Sequence, residues 1–127
     1  MDQTGAVEDL EKATDINPRD ENAYRILGLI KLGLKDYPTA VTEFSAVIKC
    51  NPSNYDARLL RGIAEFSLQS FEDAMSDFDK AIALNPKDIR AYRIRGMTKH
   101  ALGDDVSAQK DFDNAAELES QSKSDVK

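Results

Sequence analysis

The chain has 127 residues, a formal net charge of −6, 41% hydrophobic residues and 31% charged residues, which is typical of one soluble globular domain. The acidic balance argues against a general nucleic-acid binder, and the apolar runs are too short to cross a bilayer. Cys50 is the only cysteine, so neither an internal disulfide nor a zinc cluster can form. No signal peptide follows Met1, so a cytoplasmic location without membrane insertion is favoured.

A period of 34 residues runs through the chain. Four residue types recur at this spacing: Pro18, Pro52 and Pro86; Gly28, Gly62 and Gly96; Ala40, Ala74 and Ala108; Phe44, Phe78 and Phe112. A fixed period of this length indicates stacked structural repeats. With Glu21 as the first position, the repeats cover 21–54, 55–88 and 89–119, and a polar tail covers 120–127.

Residues 1–20 carry half of a period. The residues that match the second half of a repeat are Ala6, Leu10, Ala13 and Pro18. We therefore predict a helix over 5–16 that is the second helix of a truncated repeat. It either caps the edge of the first full repeat or indicates that the chain is a fragment of a longer array.

Each full repeat predicts two helices, because two apolar patterns of helical spacing are separated by a short break. The predicted helices are 21–34, 37–50, 55–68, 71–84, 89–102 and 105–119. Asp20, Asn54 and Asp88 are suited to cap the first helix of each repeat. The chain after Leu118 is polar and is predicted to be frayed or disordered.

The recurrent glycines fall in the middle of the first helices, where glycine costs about 1 kcal/mol relative to alanine. We interpret them as places where two helices approach closely. The recurrent alanines are expected to face the glycines, and the recurrent phenylalanines to fill the wider gap beyond.

This pattern resembles the tetratricopeptide repeat family. The first repeat carries the family's signature residues Tyr24, Leu27, Gly28, Tyr37, Ala40, Phe44, Val47 and Pro52. The resemblance implies an all-α, right-handed superhelical stack of antiparallel helix pairs with about seven helices. It also implies a scaffold or adaptor that binds other proteins and is not an enzyme. The chain departs from the pattern at Arg58, where an aromatic residue is expected, and at Ser120, where proline is expected.

In the resembled family, the first helices line a concave groove that binds a peptide. Carried over to this chain, the groove residues are Asn22, Arg25, Leu29, Leu32, Leu59, Ile63, Phe66, Arg90, Arg93, Met97 and His100. The segment 89–102 carries four basic residues and no acid. The expected partner is therefore an acidic protein segment with an apolar anchor. The alternative is a structural segment that self-associates by stacking through its uncapped edges.

The sequence offers no constellation for catalysis, a cofactor or a metal. His100 is the sole histidine, and no nucleophile is placed with it. The pairs Asp77 with Asp79 and Asp111 with Asp113 resemble parts of a calcium loop, but the central glycine and closing glutamate are missing. We interpret both pairs as a solvated helix face.

Overall fold

The computed structural model describes residues 4–125, and within this range it contains helices and no strand. The helices are α1 (Thr4–Ile16), α2 (Glu21–Gly33), α3 (Tyr37–Cys50), α4 (Tyr55–Ser67), α5 (Phe71–Leu84), α6 (Ile89–Ala101) and α7 (Asp105–Asp125). The predicted all-helical fold with seven helices is confirmed for this part of the chain. No helix in it is long and apolar enough to cross a membrane.

Polar side chains begin the first helices as predicted. Asp20 accepts a hydrogen bond from the backbone N–H of Ala23 at 3.0 Å, and Asn54 accepts one from Ala57 at 3.0 Å. Such a bond satisfies an N–H group that has no partner inside the helix. At the start of α5, Ser70 stands in the same role but makes no side-chain cap bond.

The helices stack in chain order. Each helix contacts the next one along the chain, and α4 also contacts α6. One buried cluster joins α3 to α4 and a second joins α4, α5 and α6, with Phe44 and Phe78 as their largest members. Each cluster therefore crosses the boundary between two repeats, as expected of a solenoid.

The recurrent glycines make room for an aromatic ring. A Cβ atom on Gly62 would lie 2.5 Å from Cε1 of Phe78, and one on Gly28 would lie 2.6 Å from Cε1 of Phe44. The expectation that the alanines face the glycines is therefore wrong in this detail, because the nearest atoms belong to the phenylalanine rings. The absent side chain leaves space for the ring of the paired second helix.

Helix α7 is longer than predicted. It continues to Asp125, whereas the sequence predicted an end at residue 119 and a frayed tail. The earlier second helices end at Cys50 and Leu84, shortly before Pro52 and Pro86. Because Ser120 replaces the recurrent proline and no glycine follows, nothing in the local sequence stops α7 there.

Candidate functional site

The residues predicted for the groove lie on the three first helices α2, α4 and α6. Six are exposed: Asn22, Leu29, Arg90, Arg93, Met97 and His100. Four are half-buried: Arg25, Leu32, Ile63 and Phe66. These ten residues are candidates for contact with a partner.

Leu59 is a correction to the predicted site. Its side chain is only 1% exposed and packs in the second core cluster with Ala91 of α6. The position lies in the middle of the stack, where the first helix of the following repeat covers it. Leu59 therefore belongs to the core between repeats and is not available to a partner.

The apolar part of the candidate site combines fixed and exposed side chains. Ile63 and Phe66 pack against the second core cluster, and the Phe66 ring meets Phe71 edge-on at 5.4 Å between centroids. Leu29 and Met97 are 39% and 47% exposed. The first pair forms a rigid floor, and the second pair offers apolar surface that a ligand could cover.

The basic residues of α6 are each held by an acid of the same chain. Arg90 binds Asp88 through Nη2 at 2.7 Å, and Arg93 binds Glu119 of α7 at 2.7 Å. The hydrogen bonds from Arg90 hold the pKa of Asp88 below its usual range. The local positive charge seen in the sequence is thus partly neutralised and fixed in position.

The remaining polar groove residues also form local pairs. Nδ1 of His100 lies 2.6 Å from an Asp105 carboxylate oxygen, and both side chains are exposed. Arg25 donates to the side-chain oxygen of Asn22 at 2.7 Å and forms no ion pair within residues 4–125. His100 therefore contacts a carboxylate, and within residues 4–125 no hydroxyl or thiol side chain forms a hydrogen bond with it.

The stacked helix pairs and the ring-over-glycine contacts agree with the comparisons with known proteins. A family model described as tetratricopeptide repeat matches residues 27–89. This part of the chain carries the tetratricopeptide repeat pattern. No curated protein sequence is a match.

Solved structures with this repeat fold superpose closely. A crystal structure of MamA has a TM-score of 0.90 at 27% identity, over 94% of this chain and 70% of that one. A second MamA structure, titled MSR-1 C2, has a TM-score of 0.82 at 28% identity, over 94% and 71%. MamA 41-end from Desulfovibrio magneticus RS-1 has a TM-score of 0.86 at 26% identity, over 91% and 66%.

The tetratricopeptide repeats also contain buried ion clusters that the sequence reading missed. Asp77 is 1% exposed and receives two hydrogen bonds from Arg61, at 2.6 and 2.8 Å, while Arg58 lies 3.7 Å away. Burial raises the pKa of Asp77, and the hydrogen bonds from Arg61 and Glu65 outweigh it and hold the pKa below its usual value. The interpretation of Asp77 as solvated was wrong, although Asp79 is exposed.

The third tetratricopeptide repeat repeats this arrangement. Asp111, also 1% exposed, binds Arg95 at 2.7 and 2.9 Å and Lys99 at 2.9 Å. Burial raises the pKa of Asp111, but the bonds from Arg95 and Lys99 lower it below its usual value. A signal was present in the sequence, because the arginine and aspartate of both clusters are separated by the same 16 residues.

Neighbouring tetratricopeptide repeats are also joined at their first positions. Glu21 accepts hydrogen bonds from Asn54 at 2.7 Å and from Asn51 at 3.1 Å. One repeat later, the Tyr55 hydroxyl donates to Asp88. These bonds fix each first helix to the capping residue of the next repeat, so they set the relative orientation of the helices that carry the candidate site.

No metal centre is formed in the described residues. No group of three or more His, Cys, Asp or Glu side chains between residues 4 and 125 is placed to hold a metal ion. The buried carboxylates of Asp77 and Asp111 are instead bound by arginine and lysine side chains. The family and the structural neighbours support a protein–protein interaction or scaffold module without enzymatic activity.

Proposed function

We propose that the groove along α2, α4 and α6 binds a peptide segment of another protein, and that this segment carries acidic residues beside an apolar anchor. The observation that carries this proposal is the placement of exposed apolar and basic side chains on the first helices. Leu29 and Met97 are exposed, and Arg90 and Arg93 lie on the same helix as Met97. The lining is therefore amphipathic, as a groove for a peptide requires.

The apolar anchor would contact Ile63, Phe66 and Met97. Ile63 and Phe66 are half-buried on a rigid floor, so binding would restrict few of their side-chain rotations. Met97 is unbranched and exposed, so it can adapt to side chains of different shape. Binding energy usually concentrates in such a central apolar contact.

The acidic part of the segment would contact Arg90 and Arg93. A guanidinium group has five N–H donors in a plane and can hold a carboxylate with two of them. Arg93 uses one donor for Glu119, and Arg90 uses its Nε and Nη2 groups for Asp88. Both therefore keep donors for an incoming carboxylate while their existing partners hold the side chains in position.

A double variant tests this proposal. A binding segment is first obtained by affinity capture and mass spectrometry, and its affinity is measured by calorimetry. Arg90→Gln with Arg93→Gln should weaken binding by about 2 kcal/mol and flatten its salt dependence, because charge-assisted hydrogen bonds are lost. The charge-matched control is Lys80→Gln with Lys110→Gln, on the exposed faces of α5 and α7, and should change the affinity little. Equal affinities for the two double variants would contradict the groove assignment.

Stacking through the repeat edges stays a second prediction. The outward residues of α1 and α7 are mostly polar or charged, which does not favour a stable contact between copies. Both match the second helix of a repeat. An end-to-end contact would therefore pair two second helices, whereas first and second helices alternate along the stack. Light scattering over a concentration series tests it. The cytoplasmic location likewise stays a prediction.

A further inference from the structure

Two clefts occupy the same place in two different repeats. The N-terminal cleft has a volume of about 450 Å³ and is lined by Pro18, Arg19, Tyr24, Ala46, Lys49 and Cys50. The C-terminal cleft has a volume of about 240 Å³ and is lined by Pro86, Tyr92, Asn114, Glu117, Leu118 and Gln121. Five lining positions are related by 68 residues, which is two periods. The clefts are therefore a product of the repeat geometry, each with a proline and a tyrosine as apolar walls.

The aromatic wall is missing in the repeat between them. Arg58 stands at the position of Tyr24 and Tyr92. Its side chain is 12% exposed and lies beside the buried Asp77. The middle repeat thus uses this position for its internal ion cluster, whereas the outer repeats keep it as the wall of a cleft.

The two clefts differ in the charge of their lining residues. Arg19 and Lys49 are exposed at the N-terminal cleft and form no ion pair with any residue between 4 and 125. Glu117 stands at the place of Lys49 in the C-terminal cleft. There the Tyr92 hydroxyl also donates to the backbone oxygen of Pro86 at 2.9 Å. In a protein of net charge −6, the N-terminal cleft is a locally basic site and the more enclosed of the two clefts.

We propose that the N-terminal cleft is a second docking site, for an acidic segment of a partner protein. An apolar side chain of that segment would enter between Pro18 and Tyr24, and a neighbouring carboxylate would bind Arg19 and Lys49. None of the predicted groove residues lines this cleft. The site is thus separate from the groove and does not depend on the groove proposal.

Charge complementarity selects this occupant. The cleft lies at the end of α3, where the last carbonyl groups carry about half a negative charge and disfavour an anion. Arg19 and Lys49 together bring two full positive charges to the same rim, so the local potential favours a carboxylate. Their unpaired state contrasts with Arg90 and Arg93, which already bind acids of the same chain.

The only cysteine of the chain lines this cleft and can report its occupancy. The probe is a short synthetic peptide, blocked at both ends, with a leucine flanked by glutamates. The measurement is the rate at which iodoacetamide alkylates Cys50, with and without peptide. At a peptide concentration about ten times Kd, the rate should fall about tenfold, because about a tenth of the clefts then remain free. A matched peptide with lysines in place of the glutamates should not protect Cys50.

Two charge-matched double variants locate the effect. Arg19→Glu with Lys49→Glu should abolish the protection. Lys87→Glu, two periods after Arg19 and at the end of the second repeat, with Lys110→Glu should retain it. Each variant is compared with itself with and without peptide, so changes in the intrinsic reactivity of the thiol cancel. Unchanged melting temperatures would show that both variants fold.

Several outcomes would overturn the cleft proposal. They are no protection in the unmodified chain, equal protection in both double variants, or protection by the lysine peptide. Slower alkylation at higher protein concentration without peptide would instead assign the cleft to a second copy of the chain. Calorimetric binding without protection of Cys50 would leave the groove proposal standing and refute the cleft. Protection that persists in Arg90→Gln with Arg93→Gln would show that the two sites are separate.

Discussion

Glu65 is a carboxylic acid in the buried ion cluster of α4 and α5. Its side chain has an oxygen with no hydrogen-bond partner and lies beside Asp77. Burial, followed by the hydrogen bond and the negative charge of Asp77, raises the pKa of Glu65 to about 9. At neutral pH the group is therefore protonated and can donate to Asp77, which stays ionised between Arg58 and Arg61.

The raised pKa makes stability depend on pH. The folded chain binds the Glu65 proton more tightly than the unfolded chain does, so this contribution to stability is complete below the ordinary glutamate pKa of 4.5 and is lost as pH rises towards about 9. The slope is up to about 1.4 kcal/mol per pH unit. Glu65→Gln keeps a neutral donor to Asp77 and should remove most of this slope in urea denaturation at pH 5 to 8. A slope equal to that of the unmodified chain would show that Glu65 is ionised in the fold.

Gly62 shows how one missing side chain shapes the helix pair. Gly62→Ala places a Cβ atom against the buried Phe78 ring, and we expect a loss of about 1–2 kcal/mol after the better helix propensity of alanine is counted. Gly33→Ala is the matched control, because Gly33 lies at the end of α2 and a Cβ there has no neighbour within 4 Å. It should be neutral or slightly stabilising. Chemical denaturation that ranks the two variants equally would contradict the ring-over-glycine contact.

At the scale of the helices, two capping positions that look alike in the sequence differ in the structure. Asp20→Ala removes the bond to the N–H of Ala23 and should cost about 1 kcal/mol. Ser70→Ala removes no cap bond and should cost close to nothing. The comparison is made by thermal unfolding of both single variants. A larger loss for Ser70→Ala would show that the hydroxyl does cap α5.

The helix limits were predictable because local chemistry sets them. A capping side chain or a proline marks most ends, and the predicted limits agree with the structure within one residue from α1 to α6. The end of α7 was not predictable in the same way, since a polar stretch without glycine or proline is compatible with both a coil and a helix. The repeat limits drawn from the sequence stay predictions.

At the scale of the whole molecule, the sequence predicted a candidate surface but not the ion pairs of its charged side chains. Leu59 was assigned to the groove because its repeat position lines the groove in the resembled family, and the same position is exposed at Arg93 near the end of the stack. The following repeat covers Leu59, and only the assembled stack reveals that. The ion-pair partners of Arg90 and Arg93 were not predicted either, because they depend on side-chain geometry in the folded stack. The ion cluster of Asp77 could have been predicted from the sequence, because its arginine and aspartate recur one period later as Arg95 and Asp111.

The central claim is that this repeat stack binds a protein segment in the groove of its first helices. The most direct test is two-dimensional NMR of the labelled chain during titration with the captured partner segment. We expect large changes in amide chemical shift on the first helices and only small changes along the outward face of α7. The residues expected to shift most are Leu29, Ile63, Phe66, Arg90, Arg93 and Met97. Shifts concentrated on the outward faces of α1 and α7, with the first helices unchanged, would contradict it.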